Sequence, residues 1–491
     1  MSSTPHVATP PVPANLNRIL VIGILVLSGF VVILNETILS VAILRLMADL
    51  HVDAATAQWV STGFMLTMAV VIPTTGFLLQ RLTTRTVFML AMGLFSVGTL
   101  IAAVAPGFEL LLVGRVVQAS GTAVMMPLLM TTILQLVPKE QRGQVMGIVM
   151  IVISVAPALG PTVSGFILAS LSWRWIFILV LPIAVLMLVV GAIKLVNVSE
   201  PSRSSLDLIS VPLTVLGFGG LVYGINEISK GPGSITLWVS LVIGVVGMGL
   251  FVWRQLVLQR TGAPFLDLRV LKHRTFAVAL GMMMIGFGSL IGVAILWPMY
   301  LQQVHHLDPK VTGFLLLPGG LAMGLLGPLI GRLHDQYGPR KLAVPGAIGM
   351  VTMMFAMSRV TESTPLLILL ALHVLLSLSL AFMFTPIFTA GLNVLPPALY
   401  SHGTATLNAL QQVAGGAGTA LLVAIMSITA GRLAGEGAVA EQATLGGVST
   451  AFVVAAAMGL GALALAFLLP NGTPAEPEPA EDLAAEPVPA Q

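Results

Sequence analysis

Runs of about twenty apolar residues, separated by short polar breaks, recur along almost the whole chain. A helix needs about twenty such residues to cross the hydrocarbon core of a bilayer, because it rises about 1.5 Å per residue through about 30 Å. We count about fourteen runs, at 17–46, 56–78, 86–105, 109–136, 143–168, 174–196, 208–226, 235–256, 275–301, 311–333, 341–358, 364–392, 404–430 and 447–469. The pattern predicts an all-α polytopic membrane protein with about fourteen transmembrane helices.

The composition supports this prediction and argues against several other classes of protein. The 491 residues are 57% hydrophobic and 8% charged, whereas a soluble domain carries about 25% charged residues. The net charge is +3, but the basic residues are spread singly over many loops, so we expect no nucleic-acid partner. With no Cys, the chain has no disulfide and no thiolate metal site. We find no Walker-type loop, zinc-binding spacing or Ser/His/Asp set, and therefore predict no metal site, no catalytic residue and no enzyme.

Lys and Arg are distributed unevenly between the two sides of the predicted membrane domain. Of the 22 Lys and Arg residues, fifteen fall on the side of the N-terminus, six fall on the opposite side, and Arg115 lies within a span. Cytoplasmic loops of membrane proteins carry the excess of Lys and Arg. The sequence therefore predicts that both termini are cytoplasmic and that the number of spans is even.

The ends of the second and tenth apolar runs are similar, at 76–85 and 327–341. In each, a helix end containing small residues leads into a short basic turn and then into another helix. Duplicated halves around a central path are a recurring transporter design. We predict a disordered tail at 1–16, a six-helix bundle at 17–196, a two-helix insert with flanking loops at 197–274, a second six-helix bundle at 275–469 and a disordered tail at 470–491.

Glu36 lies inside the first apolar run, where a charged side chain costs roughly 2.5–3.5 kcal/mol on insertion scales. A residue kept at that cost is a functional hypothesis, and here the hypothesis is binding and release of a proton. The distance from Arg18, about 27 Å of helix, places Glu36 beyond the midplane and toward the outside. The alternative is a purely structural acid near the outer interface.

Arg115 is the only basic residue deep within a span, and it needs a partner or water there. Gln118 at i+3 and Thr122 at i+7 form a polar stripe with it on one helix face. One interpretation is a polar pocket shared with Glu36, in which the cation alters the proton affinity of the acid. The alternative is a structural cation that binds backbone carbonyl groups.

Several motifs occur in a fixed order along the chain, at 34–42, 76–85, 114–121, 157–165, 173–177, 317–320, 401–405 and 411–415. Together they resemble the major facilitator superfamily, specifically its fourteen-helix drug:proton antiporter branch of the EmrB/QacA type and the lincomycin-resistance-like subgroup. Many members of that branch have Asp at the position of Asn35, whereas the acid here is Glu36. The Asp that is usual in the loop after the second helix is replaced here by Gln80.

The resemblance implies the major facilitator fold, with two six-helix bundles and a two-helix insert. It also implies a proton-coupled multidrug exporter that carries amphipathic or cationic organic compounds by alternating access. The proton motive force would drive it without ATP or a cofactor, and its partners would be protons, small amphipathic substrates and the lipid bilayer. We expect a multi-pass monomer in a bacterial cytoplasmic membrane. One alternative is an exporter or flippase of an endogenous lipid or metabolite. Another is a non-transporting scaffold, against which the cost of Glu36 and Arg115 argues.

The predicted sites fall into three groups. Proton coupling is assigned to Glu36 and Arg115. The gating residues are Gly76, Arg81, Arg85, Pro157, Gly160, Pro161, Gly165, Gly331, Arg332, Asp335 and Arg340. The substrate-binding residues are Asn35, Gln118, Met126, Trp297, Tyr300, Gln303, Asn408 and Gln411. For the gate we expect charge pairs between Asp335 and its basic neighbours, and for the substrate an apolar cavity with few polar groups.

Overall fold

The computed structural model describes residues 18–39, 42–52, 54–198, 207, 209–227, 234–261 and 264–471. Within these residues the protein is helical throughout and contains no strand, as the apolar runs predict. The predicted tail at 1–16, and the tail at 470–491 except its first two residues, lie outside the described residues.

Sixteen α-helices follow one another along the described chain. They are α1 (Arg18–Ile38), α2 (Ile43–Leu50), α3 (Ala54–Arg81), α4 (Thr84–Ala103), α5 (Phe108–Leu136), α6 (Arg142–Ser170), α7 (Arg174–Lys194), α8 (Ser210–Thr214), α9 (Gly220–Asn226), α10 (Ile235–Thr261), α11 (Arg274–Gln303), α12 (Pro309–Tyr337), α13 (Pro339–Met357), α14 (Leu366–Asn393), α15 (Tyr400–Gly435) and α16 (Ala440–Ala466).

Eleven helices among the described residues are long and apolar enough to cross a membrane. The other three predicted spans correspond to α6, α13 and the short segment Ser210–Ile225, which are not among the eleven. The all-helical membrane architecture is therefore confirmed, whereas the number of fourteen spans stays a prediction.

The first predicted span, at 17–46, is wrong in its length. Helix α1 ends at Ile38, and the rest of the apolar run contributes to the separate eight-residue helix α2. Arg45 and Asp49 are exposed on α2 while Leu46 is buried, so this helix is amphipathic. A helix with one charged face and one buried face lies along a surface rather than through the hydrocarbon.

The segment predicted at 208–226 is helical from Ser210 to Asn226, but its hydrogen-bond pattern changes in the middle. Five residues, Val215–Gly219, form a π-helical turn between α8 and α9. Such turns are rare and widen the helix locally. The segment packs against α10, α3 and α15, so the insert lies beside the helices that the sequence assigns to the two bundles.

Helices α1 and α3–α7 pack against one another, and so do helices α11–α16. The two groups meet along two seams, α6 against α12 and α3 against α15. We call the end of the molecule that carries the Lys/Arg-rich turns at 81–85, 139–142 and 332–341 the basic end. There α3, α5, α12 and α14 end, and α6 and α15 begin.

Candidate functional site

The guanidinium of Arg115 lies in an enclosed polar cluster among α1, α3 and α5, with 1% of the residue exposed. Its Nη1 donates to Oε1 of Gln118 at 2.5 Å and to Oδ1 of Asn35 at 3.3 Å. Its Nε donates to the carbonyl of Val60 at 3.4 Å, and its Cζ lies 3.9 Å from the ring centre of Phe64. Because a buried cation without partners costs several kcal/mol, these neutral groups and the aromatic face make its burial tolerable.

Helix α4 supports this cluster from behind. Nε2 of Gln118 donates to Oγ1 of Thr99 at 2.7 Å, which holds the amide with its oxygen toward Arg115. Thr99 reaches Gln118 because α4 and α5 touch, and a Cβ placed on Gly98 would lie 2.6 Å from the carbonyl oxygen of Gly114. Small residues are what allow two membrane helices to approach this closely.

Asn35 and Glu36 point in different directions from α1. Asn35 is buried and faces Arg115, whereas Glu36, about 100° further around the helix, is partly exposed. Among the described residues no ion pair joins Glu36 to Arg115. The two groups still act on each other electrostatically. An amide therefore faces the cation directly, and the carboxyl lies to one side within the reach of its field.

The face of α1 that carries Glu36 is turned toward α5 and α6. Gly29 lies seven residues earlier, or about two turns, on the same face. A Cβ there would lie 3.7 Å from Val152 of α6 and 3.9 Å from the sulfur of Met126 of α5. Because α1 ends at Ile38, Glu36 occupies its last turn, at the end of the molecule opposite the basic end.

Helix α6 passes close to α1 one residue beyond Glu36. A Cβ on Gly160 would overlap the hydroxyl of Thr37, so only glycine fits at this crossing. Pro157 and Pro161 lie in the same part of α6. Gly165 differs, because no atom lies within 4 Å of a Cβ placed there. The two glycines therefore differ in role, because Gly160 permits a close helix contact and Gly165 lies beside open space.

At the basic end, α6 and α12 are in backbone contact. A Cβ on Gly147 would overlap the carbonyl of Gly327, and one on Gly331 would overlap the carbonyl of Gly143. The carboxylate of Asp335 accepts the backbone N–H of Gly143 at 2.9 Å and the next N–H at 3.1 Å. A carboxylate at a helix N-terminus satisfies free N–H groups and complements the helix dipole. Asp335 therefore joins one helix group to the other.

The expected charge pairs of Asp335 with Arg332 and Arg340 are not found among the described residues. The first turn of α6 supplies two N–H groups within hydrogen-bond distance, and the carboxylate bonds to these instead. Arg332 is exposed, as are Arg81 and Arg85 at the same end. What holds this seam is a helix cap and glycine packing.

Arg142 is a second buried cation at the basic end, and it also connects the two helix groups. Its Nε donates to the carbonyl of Val137 at 2.9 Å, and its Nη2 donates to that of Leu134, both at the end of α5. Its Nη1 donates to Oδ1 of Asn393 at 2.9 Å and to the hydroxyl of Tyr400 at 3.2 Å. The negative end of the α5 dipole offsets part of the cost of burying this charge.

The seam between α3 and α15 contains neutral polar contacts. Nε2 of Gln80 lies 2.8 Å from Nε2 of His402, and a Cβ on Gly76 would lie 3.1 Å from Nδ1 of the same ring. Deeper along α15, the hydroxyl of Thr404 lies 2.9 Å from that of Thr131 on α5. Gly76 was predicted to act in gating, and its position is consistent with that role, which stays a prediction.

The predicted substrate residues do not form one group. Trp297 and Tyr300 are fully buried, stacked at 5.1 Å between ring centres. The Tyr300 hydroxyl lies 2.8 Å from Nε2 of His305 and donates to the carbonyl of Thr361 at 2.8 Å. Gln303 is exposed at the end of α11. In this structure the first two are packing residues of their helix group.

Asn408 and Gln411 lie elsewhere, on the buried face of α15. The Gln411 amide donates to the sulfur atom of Met283 at 3.7 Å, whereas the Asn408 amide donates to the carbonyl of Thr404 at 2.8 Å and to the sulfur atom of Met130 at 3.7 Å. Met126 lies beside α1, whereas Asn35 and Gln118 already bind Arg115. Weak amide–sulfur contacts of this kind are easily exchanged for others, so the Gln411 amide is the member of the set most available to a substrate.

Four residues of the site were missed in the sequence, namely Phe64, Thr99, Arg142 and His402. Phe64 and Thr99 carry no signal, because they meet the Arg115 cluster from other helices. Arg142 has the sequence setting of an ordinary loop cation, although Gly143 and Gly147 after it indicate a close helix contact. His402 carries no signal in the sequence beyond its place in the motif at 401–405.

Known proteins resemble this chain over most of its length. The family described as Major Facilitator Superfamily matches residues 25–419. The chain is 41% identical over 390 residues to the uncharacterized MFS-type transporter YcnB of Bacillus subtilis, covering 79% of this chain and 82% of that protein. It is 41% identical over 386 residues to the lincomycin resistance protein LmrB of Listeria monocytogenes, covering 78% and 81%. With the multidrug resistance protein B homolog of Mycobacterium tuberculosis it shares 31% over 355 residues, covering 70% and 65%.

Solved structures share the fold at low sequence identity. The proton:xylose symporter XylE matches with a TM-score of 0.65 and 15% identity, over 92% of this chain and 96% of that one. The human organic anion transporter MFSD10 matches with a TM-score of 0.63 and 15% identity, over 92% and 100%. The family match, the relatives and the fold agree. The chain is a multi-pass membrane protein that belongs to the Major Facilitator Superfamily.

Proposed function

We propose that this protein is a proton-coupled exporter of amphipathic or cationic organic compounds, and that it acts as an alternating-access antiporter. The observation that carries the proposal is the buried Arg115 cluster with the Glu36 carboxyl beside it in the last turn of α1. Relatives named for lincomycin and multidrug resistance support the substrate class. We further propose a monomer in a bacterial cell membrane, with two six-helix bundles and both termini in the cytoplasm.

In this proposal Glu36 carries the proton. When charged, it is attracted by Arg115 through a short stretch of low-dielectric protein, and when protonated it loses that attraction. Arg115 keeps its neutral partners in either state, so it remains satisfied while the charge of Glu36 changes. Protonation thus alters the balance between conformations without leaving a buried cation unpaired.

The closed seams at the basic end support a direction for the proposed cycle. If the basic end is cytoplasmic, the conformation described is closed to the cytoplasm, and Glu36 at the opposite end takes its proton from outside. Opening of the α6–α12 and α3–α15 seams would then deliver the proton inward. One charge that crosses 100 mV contributes about 2.3 kcal/mol, which is enough for a useful drug gradient.

A lateral groove favours a second candidate, export or flipping of an endogenous lipid. The groove has a volume of about 430 Å³ and lies between α3 and the insert, with Leu66, Val70, Leu216, Tyr223 and Ile243 among its lining residues. It opens between two membrane-spanning helices, α3 and α10, so a molecule dissolved in the bilayer can reach it.

A substrate comparison in proteoliposomes tests the proposal. The purified protein would face an imposed pH gradient, with lincomycin, a cationic dye and a fluorescent phospholipid offered separately. The exporter predicts dye or lincomycin accumulation that stops when a protonophore collapses the gradient and is indifferent to ATP. Phospholipid movement alone would favour the second candidate. Movement of every compound without dependence on the gradient would contradict proton coupling.

A further inference from the structure

His402 is a buried titratable group that the proposed proton path through Glu36 does not use. It sits in the first turn of α15, in the α3–α15 seam at the basic end, and only 3% of it is exposed. Its Nε2 lies 2.8 Å from the amide nitrogen of Gln80, which donates to it, and its Nδ1 has no hydrogen-bond partner among the described residues. The backbone of Gly76 lies close to that nitrogen, because a Cβ placed on Gly76 would be 3.1 Å from it.

Two charged groups of opposite sign act on the imidazole from the segment that leads into α11. They are Asp267 and Arg269, which are paired with each other at 2.5 Å. Burial raises the pKa of Asp267, but hydrogen bonds from Arg269 outweigh it and hold that pKa below its usual range. The Asp267 charge is therefore constant at physiological pH.

Helix α3 offers His402 no carboxylate. Gln80 is neutral, and the guanidinium of Arg81 lies over the ring of Phe77, 5.7 Å from its centre. From α5 the nearby group is the hydroxyl of Thr131, which is bonded to Thr404 one half-turn further along α15. The closed seam thus holds the ring with one nitrogen accepting a bond and the other without an acceptor, and this arrangement suits only neutral imidazole.

We infer that His402 couples closure of the basic end to protons on that side of the membrane, as a second titratable site separate from Glu36. With the seam closed the ring stays neutral. When α3 and α15 separate, water reaches the ring and it can take up a proton. Protonation would then oppose closure, because the buried imidazolium cannot accept the Gln80 hydrogen bond, and the Asp267 carboxylate that acts on it is already paired with Arg269. Acid on the basic side therefore favours the open seam.

The inference rests on the proposed alternating access, but it needs neither Glu36 nor a known substrate. Its test is a distance measurement on the full-length protein. The chain has no Cys, so Thr86→Cys and Val394→Cys, at exposed positions on opposite sides of the seam, place two spin labels without side reactions. All measurements use a Glu36→Gln background in lipid nanodiscs, which removes the titration of that carboxyl.

We expect the population with separated labels to rise as the pH falls from about 7.5 to about 5.5, by up to about tenfold per pH unit. His402→Gln should remove this response and leave a change of less than about twofold. The matched control is His373→Gln, a partly buried histidine that bonds the carbonyl of Leu316 on α12, away from this seam. That variant should keep the full response.

A reciprocal variant separates electrostatics from loss of packing. Gln80→Glu replaces the amide that lies 2.8 Å from the His402 ring with a carboxylate. The carboxylate can pair with the imidazolium, so the seam should stay closed in acid. If His402→Gln does not fold, this variant alone decides the question. The inference is overturned if the parent protein shows no acid-induced separation, if His402→Gln keeps it, or if Gln80→Glu leaves it unchanged. A failure of proton-driven export with an intact pH response would contradict the proposed function alone.

Discussion

A single helix position distinguishes the two polar residues at the end of α1. Asn35 faces Arg115 and accepts a hydrogen bond from it, while Glu36 is turned toward α5 and α6 and stays partly exposed. An acid at position 35 would sit directly against the guanidinium. At position 36 it interacts through the electric field alone, which leaves it freer to change its protonation state.

At Arg115 the arrangement of donors, rather than the charge alone, is expected to matter. Arg115→Lys keeps the charge but loses the planar fork of guanidinium donors. A single ammonium group cannot reach Gln118, Asn35 and Val60 together. We predict a loss of about 2–4 kcal/mol in stability, seen as a lower melting temperature in detergent, and loss of gradient-driven transport.

Arg359→Lys is the matched control for that substitution. Arg359 also lies over a phenylalanine ring, 4.8 Å from the centre of Phe355, but it is exposed. Its replacement should change stability by less than about 0.5 kcal/mol. Equal effects at the two positions would show that the Arg115 cluster has no special role.

The sequence predicts part of this cluster. The i+3 spacing of Arg115 and Gln118 places both on one helix face, and they are bonded as that spacing indicates. Phe64 and Thr99 are contributed by α3 and α4, and nothing in the local sequence fixes how those helices are rotated. The same limit applies to Trp297 and Tyr300, which stack inside their own helix group in this structure and whose role in substrate binding stays a prediction.

Among the helices, α6 and α12 form the contact most sensitive to side-chain size. Gly143 and Gly147 meet Gly327 and Gly331 backbone to backbone, whereas the α3–α15 seam is made of side-chain hydrogen bonds. A backbone contact tolerates no added atom. A single added methyl group should therefore be enough to separate α6 from α12.

Gly147→Ala is predicted to force the basic ends of α6 and α12 apart, because the new Cβ would overlap the carbonyl of Gly327. Spin labels at the exposed positions Gln141→Cys and Gln336→Cys would report a longer mean distance. The control is Gly165→Ala in the same helix, where no atom lies within 4 Å of the added group. Both variants gain the same helix propensity, so only the clash differs. Unchanged distances in Gly147→Ala would contradict the packing account.

Element boundaries were predictable where hydrophobicity alone decides them. Every predicted span has a helical counterpart, because a bilayer-crossing run must satisfy its backbone internally. The predicted length of the first span was wrong because hydrophobicity does not show where a chain turns from crossing the membrane to lying along its surface. The amphipathic pattern of α2, with Arg45 and Asp49 on one face, was the available signal.

For the molecule as a whole, closure at the basic end depends on a small number of bonds between the two helix groups. Asp335 supplies two of them at 2.9 and 3.1 Å, and Arg142 supplies two more through Asn393 and Tyr400. A transporter must break these bonds in every cycle, so their net strength has to stay modest. A helix cap and hydrogen bonds to neutral partners meet that requirement.

Asp335→Asn should shift the molecule toward the state that is open at the basic end. The amide presents one oxygen instead of two and removes the charge that complements the α6 dipole, a loss of about 1 kcal/mol. The labels at positions 141 and 336 should then report an open population about fivefold larger. Asp49→Asn, at an exposed position of α2, should have no such effect. A wild-type distance distribution in Asp335→Asn would show that the cap does not hold the seam.

Proton-driven accumulation by the Glu36→Gln variant tests the central claim most directly. The variant would be reconstituted and compared with the parent in two assays, accumulation under an imposed pH gradient and substrate exchange with no gradient. The account predicts that Glu36→Gln loses accumulation but keeps exchange, because the substrate pathway survives while the proton carrier is gone. Glu109→Gln, at an exposed position in the first turn of α5, should keep both activities. Accumulation at the parent level by Glu36→Gln would contradict the account.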